Sequence, residues 1–385
     1  MGDLKKKIET LSPNQKLKLL EKLKSRKLGA YSSSNEVKES QNNKFNAGEN
    51  FVYKLASPVN FLKTEFVSSE IDDPADDMIQ IETMAASLNF RDLMMAMGLY
   101  PSTPGVPSVM GSDYAGIVSK VGSKIKNYAK GDKVMVLSGG SLKKDHKTDP
   151  NSHFSKYLNV VEESIFPMPN SSSFIDASTI PTVFITSYYA LITLANIKRE
   201  DTVLIHSATG GVGLAAIAIC KWIGCKIFAT AGNDSKRSLL REMGVELVMD
   251  SRTTEFESII KANTNGRGVD VILNTLSGDK VIAGLNSLNF FGRFLQIDKK
   301  DISTNGNLPL GNFNKGLSYY AIDIGLLGRN IEIVRDIITE LSVLFDNGNI
   351  KAINKTVYPF NELGDALNYM SRSEHIGKIV LDYNL

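Results

Sequence analysis

Cysteine, histidine and tryptophan are scarce, at two, four and one in 385 residues. Two cysteines give no disulfide framework, so a reduced, cytoplasmic protein is expected. Cys220 falls in an apolar, helix-like stretch and Cys225 heads a strand-like run, so both read as small buried residues. No apolar run reaches the roughly 18 residues that a membrane helix needs, and no secretory signal is expected. The net charge is only +2 and is unevenly spread. Residues 1–48 carry eleven Lys and Arg against five Asp and Glu, which leaves the body of the chain slightly acidic. That excludes a basic nucleic-acid-binding face on the body.

One stretch is dense in signals: TVLIHSATGGVGLAAIAIC, residues 202–220. Val203 to Ile205 form a β-prone run, Ser207 to Gly213 a glycine-rich turn, and an alanine-rich segment of helical length continues to about Ile223. Strand, glycine turn, helix is the order of a dinucleotide fingerprint, here Gly211-x-Gly213-x-x-Ala216. Gly211 permits the sharp turn, Gly213 admits a pyrophosphate close to the backbone, and Ala216 lets the helix lie near the sheet. Phosphate oxygens would meet the N–H groups of Gly210, Gly211, Val212 and Gly213 at the positive end of the helix. The same string also describes a plain turn.

A second strand, Lys226 to Thr230, follows, as a βαβ unit requires. In an NAD site an acid should end it, to bind the ribose 2′-hydroxyl. Here it ends Ala231-Gly232-Asn233, and Asp234 arrives late, followed by Ser235, Lys236 and Arg237. A hydroxyl and two cations suit a 2′-phosphate, so NADP(H) is expected. Solvated charges at a helix start are the alternative.

Taken in order, residues 1–28 predict a short helix with Ser12 at its cap, Pro13 at its first position and Leu17, Leu20 and Leu23 on one face. A polar linker follows to about Asn50. The pair reads either as a docking element of a larger assembly or as a solvated tail. From Phe51 short glycine-punctuated strands predict a β-rich domain over 51–180. From Thr202 strands alternate with helices, and the chain ends in an amphipathic helix at Ile331 to Asn347 and a closing strand at Lys378 to Asp382. The fold class is α/β.

NFRDLMMAMGLYP, GSDYAG, KGDKV, PTVFITSYYAL, HSATGGVG, GRGVDVILNTLSG and HIGKIVL occur in that order. Together they resemble the medium-chain dehydrogenase/reductase superfamily over residues 51–385. They are most similar to enoyl reductase domains of polyketide synthases and animal fatty acid synthase, with quinone oxidoreductases as cousins. The resemblance implies a GroES-like β domain over 51–180, completed by 325–385 from the other end of the chain, with a doubly wound Rossmann nucleotide domain inserted over 181–324 and the substrate in the cleft between them. The zinc of the alcohol dehydrogenase branch needs cysteine and histidine ligand sets. Two cysteines in the nucleotide domain, with His146, His153, His206 and His375 scattered, do not supply them, so no metal is expected.

What the resemblance implies of chemistry is NADPH-dependent reduction of an enoyl thioester held on an acyl carrier protein, within or docked to a polyketide synthase. Its variants are ring closure of a γ-halogenated enoyl thioester to a cyclopropane and free-standing quinone or enone reduction. A non-catalytic NADPH-binding protein is a further reading. Tyr100 matches the family's active-site tyrosine. Lys236 matches a lysine that serves as proton donor in some relatives and grips the 2′-phosphate in others. Asn89 matches the asparagine beside the nicotinamide ribose and Thr186 the threonine beside its amide. Gly232, the pair Ser251-Arg252, Asn274 and the strand end at Ile297 and Lys299 complete the implied cofactor contacts. Two departures stand out. Thr253 follows Ser251-Arg252 where relatives often have Asp, which leaves Glu255 as the nearest acid. Asp298 stands where the family usually has glycine.

Overall fold

The computed structural model describes residues 50–55, 64–98, 100, 110–138 and 154–384. The expected N-terminal helix and linker, and His146 and His153, lie outside the described residues. Strands β1 (Phe51–Leu55) and β2 (Thr64–Ser68) pair as an antiparallel ribbon. Strand β3 (Met78–Leu88) leads through helix α1 (Phe90–Ala96) to β4 (Asp113–Val121) and β5 (Lys133–Leu137). Strands β6 (Tyr157–Val161) and β7 (Ile165–Pro167) follow, then helices α2 (Phe174–Ala177) and α3 (Pro181–Tyr188).

The nucleotide half begins with β8 (Thr202–Ile205), α4 (Gly211–Ile223) and β9 (Lys226–Ala231). It continues through α5 (Asp234–Glu242), β10 (Leu247–Asp250), α6 (Phe256–Asn263) and β11 (Val269–Asn274). Helix α7 (Asp279–Ser287), β12 (Leu288–Gln296), α8 (Lys300–Ser303) and β13 (Ser318–Ala321) complete it. The chain closes with α9 (Ile331–Asp346), β14 (Lys355–Pro359), α10 (Leu363–Ser371) and β15 (Lys378–Asp382).

Strands β8 to β13 form one parallel sheet in the order β10-β9-β8-β11-β12-β13. That is the doubly wound order 3-2-1-4-5-6, in which dinucleotides bind where the order reverses, here between β8 and β11. The strands are near-continuous apolar runs because helices cover both faces, as in VDVILN of β11, whose residues other than half-buried Asp270 are buried. The other sheet runs β14-β15-β3-β4-β5-β7, with β6 on β3. Its first two strands come from the C-terminal end of the chain, which makes it the GroES-like sheet closed by both ends.

Helix α9 buries Val334, Ile337, Ile338, Leu341, Leu344 and Phe345, one face at helical spacing. Those residues join the apolar cluster of α3 and α4, where Phe184 and Phe345 meet edge to face at 5.0 Å. The same cluster takes in Ala115, Met135, Leu137 and Phe166 of the GroES-like sheet, and Asp346, the last residue of α9, accepts from Ser171 N at 3.0 Å.

His206, directly after β8, is 1% exposed, with Nδ1 on Thr230 Oγ1 at 3.0 Å and its ring edge against Phe256. Burial pushes its pKa down from 6.5 to about 3. The unfolded chain therefore takes up a proton below pH 6.5 that the folded chain refuses until about pH 3. Stability should fall with acidification through that window, by up to ~1.4 kcal/mol per pH unit from this group. Urea midpoints against pH should show a shallower slope for His206→Gln; an unchanged slope would contradict the assignment.

Candidate functional site

The glycine turn sits as the fingerprint requires, but its glycines divide the work differently. Gly210 is the N-cap of α4 and brings no side chain to the first-turn N–H groups of Gly211, Val212 and Gly213. A bare helix N-terminus of this kind fits a phosphate. A Cβ on Gly210 would meet only Ser207 O, at 3.4 Å, so this is the position that faces open space. A Cβ on Gly213 would stand 2.5 Å from Ala208 Cα and 2.6 Å from Ala208 O. Gly213 is thus required for the turn to pack on itself, and not to admit a pyrophosphate as its place in the motif suggests. A Cβ on Gly211 would lie 2.9 Å from Val183 Cγ1 and 3.0 Å from Lys378 Cδ, so α3 and β15 close on the turn.

At the end of β9 a second cluster forms. An ideal Cβ on Gly232 would lie 3.5 Å from Arg252 Nε and 3.6 Å from Ser251 Oγ. The backbone N–H of Arg252 donates to Asp250 Oδ1, and no ion pair engages its exposed guanidinium among the described residues. Of the two cations expected to hold a 2′-phosphate, Arg237 is already spent. It bonds Asp234 Oδ1 at 2.7 Å, Asp250 Oδ2 at 3.1 Å and Ala231 O at 3.1 Å, tying α5 to the strand ends. Lys236 Nζ donates to Ser373 O at 2.9 Å, and burial lowers its pKa while Glu374 opposes that shift. Asn233 accepts from Lys236 N at 2.9 Å and caps α5.

Glu255 does not join a proton-transfer site. It is exposed at the head of α6, following β10, the edge strand of the sheet. With neighbouring strands ~4.8 Å apart, β10 lies three strand spacings from β11. Glu255 therefore stands apart from the ends of β8 and β11, where the strand order reverses.

At the ends of β11 and β12 the polar groups largely satisfy one another. Asn274 is fully buried, and its Nδ2 donates to Gln296 Oε1 at 2.6 Å and to Leu276 O at 2.7 Å. Its amide nitrogen is thus taken up within the loop that follows β11. Lys299 pairs with Asp323 at 2.6 Å, with both side chains part-exposed. Ile297 N–H donates to Asn274 O at 2.9 Å. Burial pushes the Asp298 carboxyl up, and that carboxylate caps the turn by accepting from Lys300 N at 3.1 Å.

A buried polar cluster lies where the catalytic sheet meets the glycine turn. Asp113 and Lys378 pair at 3.0 Å, with side chains 0% and 3% exposed. Lys378 Nζ also donates to Asn89 Oδ1 at 2.6 Å, while Asn89 Nδ2 donates to Asp113 Oδ2 at 2.9 Å. Thr182, at the start of α3, donates its N–H and its hydroxyl to Asp113 Oδ1 at 3.1 and 2.6 Å. Thr186, one turn on, returns its hydroxyl to Thr182 O at 2.6 Å. Asp92 fixes the other end of the loop by accepting from Asn89 N at 2.7 Å and Gly111 N at 2.8 Å.

Tyr100 packs beside this cluster. Its ring lies 5.2 Å from the Arg91 guanidinium, whose Nη1 reaches Ser112 Oγ at 3.3 Å, next to Asp113. Sequence reasoning gave no role to Asp113, Lys378 or Thr182. The signal was present, since an Asp and a Lys each head an otherwise apolar strand run, DYAGIV and KIVL, and two such charges can be buried only together.

Among the described residues no three His, Cys, Asp or Glu side chains converge to hold a metal, and no helix is long and apolar enough to cross a membrane. Residues 75–170 match the family model of the alcohol dehydrogenase GroES-like domain, and residues 211–332 that of zinc-binding dehydrogenases. The chain is 38% identical to the phthioceranic/hydroxyphthioceranic acid synthase of Mycobacterium tuberculosis over 329 residues, which is 85% of this chain. That relative is far larger, and the match spans 15% of it. Among solved structures the CurK enoyl reductase superposes with a TM-score of 0.75 at 31% identity, covering 86% of this chain and 99% of that one. The CurF enoyl reductase-type cyclopropanase of the curacin A pathway superposes with a TM-score of 0.77 at 27% identity, with 86% and 99% covered. The glycine turn, the doubly wound sheet and the GroES-like sheet all agree with these likenesses. The chain belongs to the medium-chain dehydrogenase/reductase superfamily, as an oxidoreductase of the enoyl reductase domain type found in polyketide synthases.

Proposed function

We propose that this chain is an NADPH-dependent reductase of enoyl thioesters carried on an acyl carrier protein, working within or docked to a polyketide synthase. The observation that carries the reading is the 31% identity to an enoyl reductase over 99% of that protein's length. The choice of NADPH rests on Ser251 and Arg252 beside Gly232, with Asn233 in place of an acid. In this reading Arg252, Ser251 and Lys236 hold the 2′-phosphate, and the N–H groups of Gly211, Val212 and Gly213 hold the pyrophosphate. Asn89 keeps one lone pair on Oδ1 for the nicotinamide-side ribose, and Thr186 lies one helical turn beyond Thr182 beside the same cluster. We divide the chain into an appendage at 1–50, a catalytic part beginning at 51 and a nucleotide part beginning at 181. NADPH, when bound, supplies the hydride that adds to Cβ of the thioester.

Tyr100 is the proposed donor of the proton to Cα. A phenol has a reference pKa near 10, so it can protonate a forming enolate carbon without being charged at rest. Tyr100→Phe should keep NADPH affinity but lower turnover or change the facial preference at Cα, read from rate and product stereochemistry. A variant with wild-type rate and product would reduce Tyr100 to a packing residue.

The test of the whole reading is NADPH oxidation measured with a carrier-linked enoyl chain, with a free quinone and with neither. Turnover on the enoyl chain is expected. Turnover on quinone alone would make the chain a free-standing quinone reductase, and none at all a nucleotide-binding protein. The likeness to the CurF cyclopropanase motivates one added arm, a γ-chloro enoyl thioester. Halide release with a cyclopropane product would place the chain among the ring-closing relatives.

A further inference from the structure

Helix α4 ends on a left-handed residue, Gly224, with φ at 88°. The carbonyl of Cys220 accepts from both Gly224 N–H and Cys225 N–H, each at 2.9 Å. This closure is a Schellman turn, whose first and last residues bring their side chains together, usually as an apolar pair. Here both residues are cysteines, the only two in the chain. With their backbones joined by a hydrogen bond, the two Cα atoms lie ~5–6 Å apart, within the span that a disulfide bridges.

The two thiols also hydrogen-bond each other. Their surroundings differ. Cys220 is 0% exposed, while Cys225 is part-exposed and its Sγ donates to Lys198 O at 3.1 Å. The hydrogen bond from Cys220 lowers the Cys225 pKa, against burial and the Asp201 carboxylate, and the same bond together with burial pushes the Cys220 pKa up. The thiolate is the nucleophile in cysteine chemistry, so the outer sulfur is the one that meets an oxidant first. The inner sulfur is shielded from solvent yet lies against the outer one. An apolar pair would close the turn as well, so packing does not call for a thiol at both positions.

We propose that Cys220 and Cys225 form a reversible dithiol/disulfide couple that reacts with hydroperoxides, with Cys225 as the nucleophile and Cys220 as the resolving thiol. The Cys225 thiolate attacks one oxygen of hydrogen peroxide and the O–O bond breaks. Cys225 becomes a sulfenic acid, and the hydroxide released takes up the proton that the thiol lost and leaves as water. The Cys220 sulfur then attacks the sulfenic sulfur, loses its own proton and expels the sulfenic oxygen as a second water. Two thiols are oxidised to one disulfide and one peroxide is reduced to two waters. A dithiol reductant restores the pair by thiol–disulfide exchange. The cross-link fastens the C-terminal end of α4 to the start of β9, and it stands independently of the reductase reading.

The test exposes the full, fully reduced chain to hydrogen peroxide near neutral pH, then counts free thiols and maps the peptides by mass spectrometry. The expected product is a chain lighter by two hydrogens, with both thiols lost to a Cys220–Cys225 link that dithiothreitol reverses. Cys220→Ala should stop at the sulfenic or sulfinic acid of Cys225. In Cys225→Ser the buried Cys220 should oxidise at least about tenfold more slowly than Cys225 does in the wild type. The wild-type map needs no variant, so a substitution that fails to fold leaves the test intact. Two free thiols after treatment, or a sulfinic acid at Cys225 beside a free Cys220, would overturn the proposal and leave the pair as the packing contact of the turn. A link between two chains in place of the internal one would overturn it too. Rapid oxidation of Cys220 in Cys225→Ser would overturn the assigned order of attack.

Discussion

Gly213→Val should deprive the chain of its native fold, while Gly210→Val should leave it folded and weaken dinucleotide binding. The contrast follows from what each new Cβ would meet. At Gly213 it would stand 2.5 Å from Ala208 Cα, inside a turn whose Ala208 N–H already bonds Thr230 O at 2.9 Å. Nothing there is a flexible side chain, so the backbone itself must move. Overpacking of this kind costs ~3 kcal/mol or more, a large share of the roughly 5–15 kcal/mol that holds a domain together. At Gly210 the nearest atom is Ser207 O at 3.4 Å, and φ is −77°, which any residue adopts. Its side chain would instead enter the space in front of the helix N-terminus, and NADPH and NADH should weaken alike. Circular dichroism with thermal melts, followed by cofactor titration, reads both variants. A folded Gly213→Val that has merely lost cofactor would restore the role that the motif alone suggests.

Arg252→Ala should weaken NADPH by roughly 10- to 150-fold, the ~1.5–3 kcal/mol of a hydrogen bond to a charged group. NADH, which lacks the 2′-phosphate, should be unaffected. Arg237→Ala should instead act on stability, since its guanidinium is held by Asp234, Asp250 and Ala231 O. The two arginines therefore separate cofactor choice from scaffolding. Equal losses for NADPH and NADH in Arg252→Ala would remove the 2′-phosphate assignment.

The alternation of strands and helices was legible from the sequence because it rests on local periodicity, as in the apolar runs VLI and VDVILN, while the doubly wound order came with the family resemblance. The glycine turn was legible for the same reason, but the reason for each glycine was not. Which of Gly210, Gly211 and Gly213 faces solvent depends on where Ala208, Val183 and Lys378 come to rest, and the last of these is over 160 residues away. The same limit hid the Asp113–Lys378 pair, whose members become partners only when β15 docks on β3 beside β4. What a linear reading cannot see is the partners: Arg252 lies beside Gly232 with no ion pair among the described residues, while Arg237, Asn274 and Lys299 are engaged by Asp234 and Asp250, Gln296, and Asp323. The apolar stripe of α9 says that it is buried and not against which neighbour, which turns out to be α3 together with residues of the GroES-like sheet.

The central claim is hydride addition to Cβ of a carrier-bound enoyl thioester. The most direct measurement is the mass spectrum of the acyl chain after turnover with NADPH deuterated at the transferring position. The account predicts a saturated thioester carrying one deuterium at Cβ, formed only with the carrier-linked enoyl chain present. A recovered enoyl thioester without label, with NADPH unconsumed or spent on a quinone instead, would contradict it.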